Sequence, residues 1–169
     1  QYLHRSLKIY EEIKDKIGIA ASLNDIGQIY ENQGDIPKAL EYLHRSLKIR
    51  EETRLPDGQV KDKKGMANSL NSIGNIYFNQ GDIPKALEYY RRSLKIREEI
   101  KDKLGIATSL NNIGFIYKNQ AERMRNPDSA AHRERLLNKA LEYYHGSLKI
   151  REEIKYKKGI ATSLNNIGV

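Results

Sequence analysis

The stretch SLNNIGFIYKNQ, residues 109–120, decides the fold because it recurs along the chain in closely similar form. Near copies occupy 22–33 and 69–80, and a shortened copy begins at Ser163. In each copy Leu, Ile, Gly and Tyr follow the i, i+3, i+4, i+7 spacing of one helix face. Asn and Gly are nevertheless poor helix formers, so their repeated use indicates helices that also serve packing or binding.

The repeated phrase belongs to a longer unit that contains two helices, A and B. The glycines that open successive A helices are Gly18, Gly65, Gly105 and Gly159, with spacings of 47, 40 and 54 residues. The B pattern in the first full unit places its inward face at Ala39, Leu43, Ser46, Leu47 and Arg50. Self-similarity at such a period predicts stacked helical hairpins.

The joints between the predicted helices carry the expected capping residues. The sequence GDIP, at 34–37 and again at 81–84, combines a C-terminal Gly, an N-cap Asp and a Pro in the first helical turn. An Asp also precedes most A helices, at Asp15, Asp62 and Asp102. Tyr156 takes this place before the last A helix, which predicts a weaker start there.

The unit boundaries follow from these joints. We divide the chain into a partial unit with helix B (1–16), three full units (17–61, 62–103 and 104–157) and a partial unit with helix A (158–169). Because the chain starts within a B helix and stops within an A helix, we interpret it as a fragment. Apolar faces are then expected at both ends, and end-to-end self-association with them.

Two insertions explain the unequal spacings. LPDGQVK, 55–61, contains a turn signal and predicts a longer loop between helices B and A. The second insertion predicts an extended hairpin near 121–138, in which helix A continues to about Arg125 and helix B starts near Pro127. Its arginines make it either a basic protrusion that binds something or a tolerated surface extension.

The paired helices resemble the tetratricopeptide repeat, in which small residues lie where the two helices meet. The matching residues are Gly27, Tyr30, Ala39, Leu43 and Ser46, then Gly74, Tyr77, Ala86, Tyr90 and Ser93, then Gly114, Tyr117, Ala140, Tyr144 and Ser147. The phrases SLNNIG and NQGD are similar to the long-repeat subgroup of kinesin light chains and Pins-like adaptors. The resemblance implies an all-α fold, an α-solenoid forming a right-handed superhelix of about eight helices.

The resemblance also implies a scaffold for protein–protein interaction that is not an enzyme and uses no cofactor. Two features depart from the family pattern. The chain has no large aromatic at the family's Trp-like position, around Leu23 and Asn24, and no helix-ending Pro follows helix B. The family's carboxylate-clamp lysines are also missing, which argues against binding of chaperone C-terminal tails.

The net charge of +8 favours nucleic acid, an anionic membrane or an acidic protein as partner. The alternative is a solvated surface, since 22 acidic residues are interspersed with 30 basic ones. Nucleic acid is disfavoured because Lys and Arg are spread around helix B. No apolar run is long enough for a membrane span or a signal peptide, so we expect a cytoplasmic protein that does not bind membranes.

The sequence carries no pattern typical of catalysis or metal binding. Cys is absent, which excludes disulfides and thiolate chemistry. His4, His44 and His145 occupy equivalent positions in successive B helices, so they lie too far apart to share one metal ion. We expect these histidines to be exposed on the convex side. No nucleophile triad or phosphate-binding loop is present.

One face of helix A has an unusual composition for a solvated surface. Counted from the helix A glycine, it comprises the residues six and three before and one and four after, with a neighbouring Asn column beside it. The residues that we predict to line a peptide-binding groove there are Asn24, Gln28, Glu31, Asn68, Asn71, Asn75, Phe78, Asn79, Thr108, Asn111, Phe115, Lys118, Asn119 and Asn165.

This face predicts a concave groove that binds an extended peptide. An Asn side chain offers a donor and an acceptor and can hold a peptide backbone, and the resemblance implies the same role for Asn24, Asn71, Asn111 and Asn165. Phe78 and Phe115 suggest a site for an apolar side chain, and Lys118 favours a peptide with acidic residues. The alternatives are asparagines that only pack the repeats, and a structural or self-associating spacer.

Overall fold

The computed structural model describes residues 2–124 and 126–168 of the 169-residue chain. Within these residues the chain is helical, and its only ladder pairing is an isolated bridge between Arg54 and Val60. The eight α-helices are α1 (Tyr2–Glu12), α2 (Lys16–Asn32), α3 (Ile36–Glu52), α4 (Lys63–Asn79), α5 (Ile83–Glu99), α6 (Lys103–Arg123), α7 (Ala130–Glu153) and α8 (Lys157–Ile167). The prediction of an all-α repeat of helix pairs is confirmed.

The chain divides into two compact units, Gln1–Ile96 and Arg97–Val169. In the first unit, α2 packs against α1 and α3, and α3 packs against α4. In the second unit, α7 packs against α6 and α8. Each unit therefore buries its apolar surface between helices that are neighbours in sequence, as expected for a helical repeat.

The predicted capping residues explain where the helices begin. The Asp35 and Asp82 carboxylates accept hydrogen bonds from the backbone amides of the third residue of α3 and α5. Asp62 and Asp102 accept the equivalent bonds from Gly65 N and Gly105 N. Tyr156, at the start of α8, makes no side-chain capping bond, and the weaker start that the sequence predicts stays a prediction.

Left-handed backbone residues end the helices. Gly34 and Gly81 have φ values of +79° and +80° after α2 and α4, which only glycine adopts without strain. Lysines take the same conformation after three other helices: Lys14, Lys101 and Lys155 have φ values of 55–56°. A long side chain in this conformation is unfavourable, so the hydrogen bonds that close each turn must compensate.

Small residues allow the A and B helices to approach closely. A Cβ added to Gly27 would lie 2.8 Å from Leu43 Cγ, and one added to Gly74 would lie 2.9 Å from the Tyr90 ring. Buried serines fix the contact: Ser46 donates to Ala20 O at 2.6 Å, and Ser93 and Ser147 make the equivalent bonds at 2.8 Å. The predicted inward face of α3 is buried in full.

A buried arginine near the end of helix B secures the start of the following A helix. Arg50 pairs with Asp62 and donates from Nε to Ser46 Oγ. In the second unit, Arg97 donates to Gly105 O at 2.8 Å and Arg151 donates to Gly159 O at 2.9 Å. Burial lowers the pKa values of Arg97 and Arg151, because desolvation disfavours their charged forms.

Tyrosine pairs cover the contact between the A and B helices, which accounts for the abundance of this residue. The rings of Tyr30 and Tyr42 stack with centroids 5.4 Å apart, and Lys38 and Arg45 lie over the two rings. The same stack recurs at Tyr77 with Tyr89 and at Tyr117 with Tyr143. Stacking with a flanking cation adds modestly to the burial energy of the rings.

The histidines do not all lie in solvent as predicted. His44 is half-buried; its Nδ1 is 2.8 Å from Leu40 O and its Nε2 is 3.1 Å from the Tyr89 hydroxyl. His4 contacts the Tyr42 ring edge-on. The prediction of an exposed position holds for His4 and His145. Tyrosines of the next B helix provide the partners, so a histidine there contributes to packing between repeats.

The two insertions form compact structures. In 55–61, Asp57 Oδ1 accepts from Gln59 N, Leu55 N donates to Gln59 O, and Gly58 has φ +82°. In the long hairpin, α6 ends at Arg123 and α7 begins at Ala130, after a 3₁₀ turn at Pro127–Ser129. The predicted helix start near Pro127 coincides with the start of this 3₁₀ turn, and the α-helix itself begins three residues later.

The reason for the later start is local hydrogen bonding. Asn126 Oδ1 accepts from Asp128 N, and the Ser129 hydroxyl donates to Asn126 O. These bonds offer the backbone a turn in place of the first α-helical turn. The predicted end of helix A at about Arg125 lies outside the described residues.

The left-handed lysines provide a test of the helix ends. We expect Lys101→Gly to stabilise the protein by about 1 kcal/mol, because glycine removes the steric cost of φ 55° at an exposed position. Lys95→Gly is the matched control, since Lys95 is exposed within α5, where glycine should destabilise by about the same amount. Denaturant unfolding followed by circular dichroism measures both. Destabilisation by both changes would contradict the explanation.

Candidate functional site

The structure distributes the predicted groove residues between buried and accessible positions. Gln28, Asn68, Asn79, Phe115 and Asn165 are exposed, and Asn24 is buried with 8% of its surface exposed. The remaining positions, which are Glu31, Asn71, Asn75, Phe78, Thr108, Asn111, Lys118 and Asn119, are half-buried. Val169, which the face would also include, lies outside the described residues. A row of half-buried polar side chains is able both to pack and to bind.

In the first unit, Asn24 belongs to a buried network of hydrogen bonds. Its Oδ1 accepts from the Ser69 hydroxyl at 3.1 Å, and Ser69 Oγ lies 3.2 Å from Ser46 Oγ. Because Ser46 also bonds to Ala20 O, the network joins α2, α3 and α4. Asn24 therefore has a packing role, one of the two alternatives that the sequence left open.

Tyr90 enters the candidate site although the sequence did not identify it as a site residue. Its ring crosses Gly74, and its hydroxyl donates to Asn75 Oδ1 at 2.6 Å. Burial and the charge of Glu31 raise the pKa of Tyr90, which keeps the hydroxyl protonated as a donor. The sequence contained a signal for this pair. The second unit has Tyr90 at the position of Leu43, and the same unit has Asn75 directly after Gly74.

Glu31, on α2, is the acidic member of the same group of side chains. Glu31 lies seven residues after Asn24 on α2 and Asn75 lies six residues after Ser69 on α4, so both follow the Asn24–Ser69 hydrogen bond by about two helical turns. Burial raises the pKa of the Glu31 carboxyl above its usual value. Among the residues that the structure describes, no ion pair or hydrogen bond involves the Glu31 side chain.

In the second unit, Asn111 has its own polar partner. Its Oδ1 accepts from Asn166 Nδ2 at 2.8 Å, which links α6 to α8. Lys118 Nζ lies 3.8 Å from Glu122, and only 16% of the lysine side chain is exposed. Thr108 donates to Leu104 O and Phe115 is 46% exposed. The second unit thus presents an exposed ring beside a weakly paired cation.

Tyr144 shows how the site differs between the units. It is equivalent to Tyr90, but Phe115 stands where Asn75 would accept its hydroxyl hydrogen bond. Within the described residues, the buried Tyr144 hydroxyl and Asn119 Oδ1 have no hydrogen-bond partner. Burial raises the pKa of Tyr144 to about 12, with a smaller contribution from Glu122.

Three asparagines of the predicted groove form hydrogen bonds between helices in the same way. Asn24, Asn75 and Asn111 each use the side-chain oxygen to accept from a neighbouring helix. Their Nδ2 groups have no partner within 2–124 and 126–168, and none of them is a buried unsatisfied group. An amide held in this way offers a hydrogen-bond donor to a ligand.

Two other kinds of site were sought among the described residues, a metal centre and a membrane-spanning helix. No cluster of His, Asp and Glu in the described part of the chain could hold a metal ion. No helix there combines the length and the apolar character that a membrane crossing requires. An open cleft of about 350 Å³ borders Asn24 and Asn68, and the paired Arg50 and Asp62 line its other side.

Comparison with known families identifies the repeat. The family model described as Tetratricopeptide repeat matches residues 1–52 and 65–125, which together make up more than half of the chain. A comparison with curated proteins gave no match.

Two solved structures show the same fold. The crystal structure of BtubC (BKLC) from P. vanneervenii matches 99% of this chain with a TM-score of 0.76 and 20% identity. The chain spans only 62% of the length of BtubC. The N-terminal domain of stress-induced protein-1 (STI-1) from C. elegans matches 88% of this chain and 97% of that domain, with a TM-score of 0.58 and 14% identity. The fold is therefore an all-α helical repeat solenoid, as predicted.

The raised pKa of Glu31 predicts a pH-dependent cost of stability. A carboxyl whose pKa is higher in the folded state than its ordinary value of 4.5 destabilises the fold when ionised, and the cost disappears below that value. We therefore expect Glu31→Gln to raise the melting temperature at pH 7 and to lose this advantage below about pH 4.

Thermal unfolding across this pH range measures the effect, with Glu88→Gln, at an exposed position of α5, as the matched control. The control should show little change at either pH. An advantage of Glu31→Gln that grows as the pH falls would show that burial does not set the ionisation of this carboxyl.

Proposed function

Because the chain belongs to the tetratricopeptide repeat family, we propose that it is a protein–protein interaction scaffold that binds an extended peptide along the helix A face. The observation that carries the proposal is the shared arrangement of Asn24, Asn75 and Asn111, each held through its oxygen with the Nδ2 group left to donate. Backbone carbonyls of an extended peptide are the matching acceptors.

The preformed orientation of these amides favours binding. A surface asparagine would lose rotational freedom when it binds a ligand, which weakens affinity. Here the Tyr90 hydroxyl fixes Asn75, and the Asn166 amide fixes Asn111. The same hydrogen bonds that pack the helices therefore reduce the entropic cost of binding, and the packing and binding roles are compatible.

Side-chain specificity is proposed to come from the residues between the asparagines. In the second unit, the exposed ring of Phe115 offers an apolar contact. Lys118, whose pairing with Glu122 at 3.8 Å is weak, favours an acidic residue of the peptide in that unit. This preference is local, because most of the basic residues that produce the net charge of +8 lie outside the predicted groove positions.

A purely structural spacer is the second candidate function. The observation that favours it is the use of Asn24 in the buried network with Ser69, which binds no ligand. A spacer would need the asparagines only for contacts between helices. The two functions differ in one respect, namely whether the Nδ2 groups have any role.

Asn111 and Asn166 allow a matched test, because substituting either residue by alanine removes the same hydrogen bond. We expect Asn111→Ala to weaken binding of a peptide selected from a random display library by about five- to tenfold, the worth of one lost hydrogen bond. Asn166→Ala breaks the same pair but leaves the Asn111 Nδ2 donor in place, so it should remove only the fixed orientation of that amide and weaken binding by about two- to threefold, less than Asn111→Ala does.

Fluorescence anisotropy with the labelled peptide measures both affinities, and circular dichroism shows whether the two variants lose similar stability. Adding Asn71→Ala to Asn111→Ala should weaken binding further. Equal affinity losses in the Asn111 and Asn166 variants would mean that the amides only pack the helices, and the spacer would then be the better explanation.

A further inference from the structure

The groove face of the first unit has a charge that the whole chain does not suggest. Its positions on α2 are Ala21, Asn24, Gln28 and Glu31, and its positions on α4 are Asn68, Asn71, Asn75 and Phe78. Glu31 is the only ionisable residue among these positions. The only charge on these positions is therefore acidic although the chain has a net charge of +8, and the basic residues Arg50 and Lys64 lie at the other end of this face, in the cleft beside Asn24 and Asn68.

The setting of Glu31 is unlike that of the other acidic residues on helix surfaces. Carboxylates such as Glu41, Glu51 and Glu52 are exposed or half-buried and lie within 4.0 Å of an arginine or lysine. Glu31 is half-buried and has no such partner within the described residues. A partly desolvated carboxylate without a cation is unfavourable, and it persists in proteins mainly where it has a function.

The polar groups of this site do not neutralise the Glu31 carboxylate. The Tyr90 hydroxyl donates to Asn75 Oδ1, so it does not neutralise the carboxylate. The Nδ2 group of Asn75 stays available for a peptide carbonyl. A peptide held by that amide would place its neighbouring side chains beside α2, within reach of Glu31, because successive side chains of an extended chain point to opposite sides.

We propose that the first unit recognises a lysine or arginine side chain of the bound peptide, with Glu31 as its counter-ion. This assignment rests on the proposed peptide-binding function and specifies the ligand further. A cation at this position stabilises the partly desolvated carboxylate by Coulomb attraction. Salt screens a half-buried ion pair less than an exposed one. A peptide bound to the first unit then carries a basic residue at this position.

The experiment compares peptides selected by three forms of the intact 169-residue chain: the parent, Glu31→Gln and Glu31→Lys. A random peptide display library is the probe. The parent chain should enrich lysine or arginine at one fixed position of the selected motif. Glu31→Gln should still select peptides but without this enrichment, and Glu31→Lys should replace it with aspartate or glutamate.

Affinity measurements then quantify the pair. Replacing the enriched basic residue of a selected synthetic peptide by glutamine should weaken its binding to the parent chain by about tenfold. The same peptide change should alter binding to the Glu31→Gln chain by less than about twofold, because the counter-ion is already missing. The loss in the parent chain should also diminish as the salt concentration rises.

The outcomes separate this inference from the proposed function. Selected peptides without a basic residue at a fixed position, or an enrichment that Glu31→Gln leaves unchanged, would overturn the role of Glu31 alone. Asn75→Ala, in the same unit, would still weaken binding in that case. A library that yields no binding peptide for any of the three chains would overturn the proposed function and this inference together.

Discussion

The close approach of helix A to helix B, at a glycine of helix A, is the constraint on which the rest of the structure depends. A Cβ at Gly27, Gly74 or Gly114 would come within about 3 Å of Leu43, Tyr90 or Tyr144, which is closer than carbon atoms pack. The glycine lowers the helix propensity by about 1 kcal/mol, and burial of the facing side chain offsets this cost. Because the helices are so close, the serine hydroxyls of helix B reach backbone carbonyls of helix A.

The main features of the fold could be predicted because they depend on local patterns that repeat. The apolar spacing, the Asp caps and the GDIP joints each act within a few residues, and the structure contains them where the sequence indicated. The helix ends at Lys14, Lys101 and Lys155 were not predictable in the same way. No glycine marks them, and the backbone hydrogen bonds that close each turn compensate the cost of the left-handed lysine.

The candidate site was less predictable because its chemistry depends on contacts between residues that are distant in sequence. The composition of the helix A face showed which positions are polar, but not which atom of each amide is already bonded. The side-chain amide of Asn75 is held by the Tyr90 hydroxyl. That of Asn111 is held by Asn166, 55 residues further along the chain. The net charge is an average over the whole chain and does not describe the charge of the few predicted groove positions in one unit.

The repeats therefore pack their helices in the same way but differ in the side chains on the helix A face. Tyr90 and Tyr144 fill equivalent places over Gly74 and Gly114, but one hydroxyl meets Asn75 and the other has Phe115 at the equivalent position. A single substitution in helix A thus changes a polar site into an apolar one without altering the contact between helices. Because the glycine, serine and arginine positions hold the scaffold, the predicted groove positions that make no contact between helices can differ from unit to unit. In the proposed function, a peptide bound to one unit would contact side chains that the fold of that unit does not require. Glu31 is the clearest example of such a side chain.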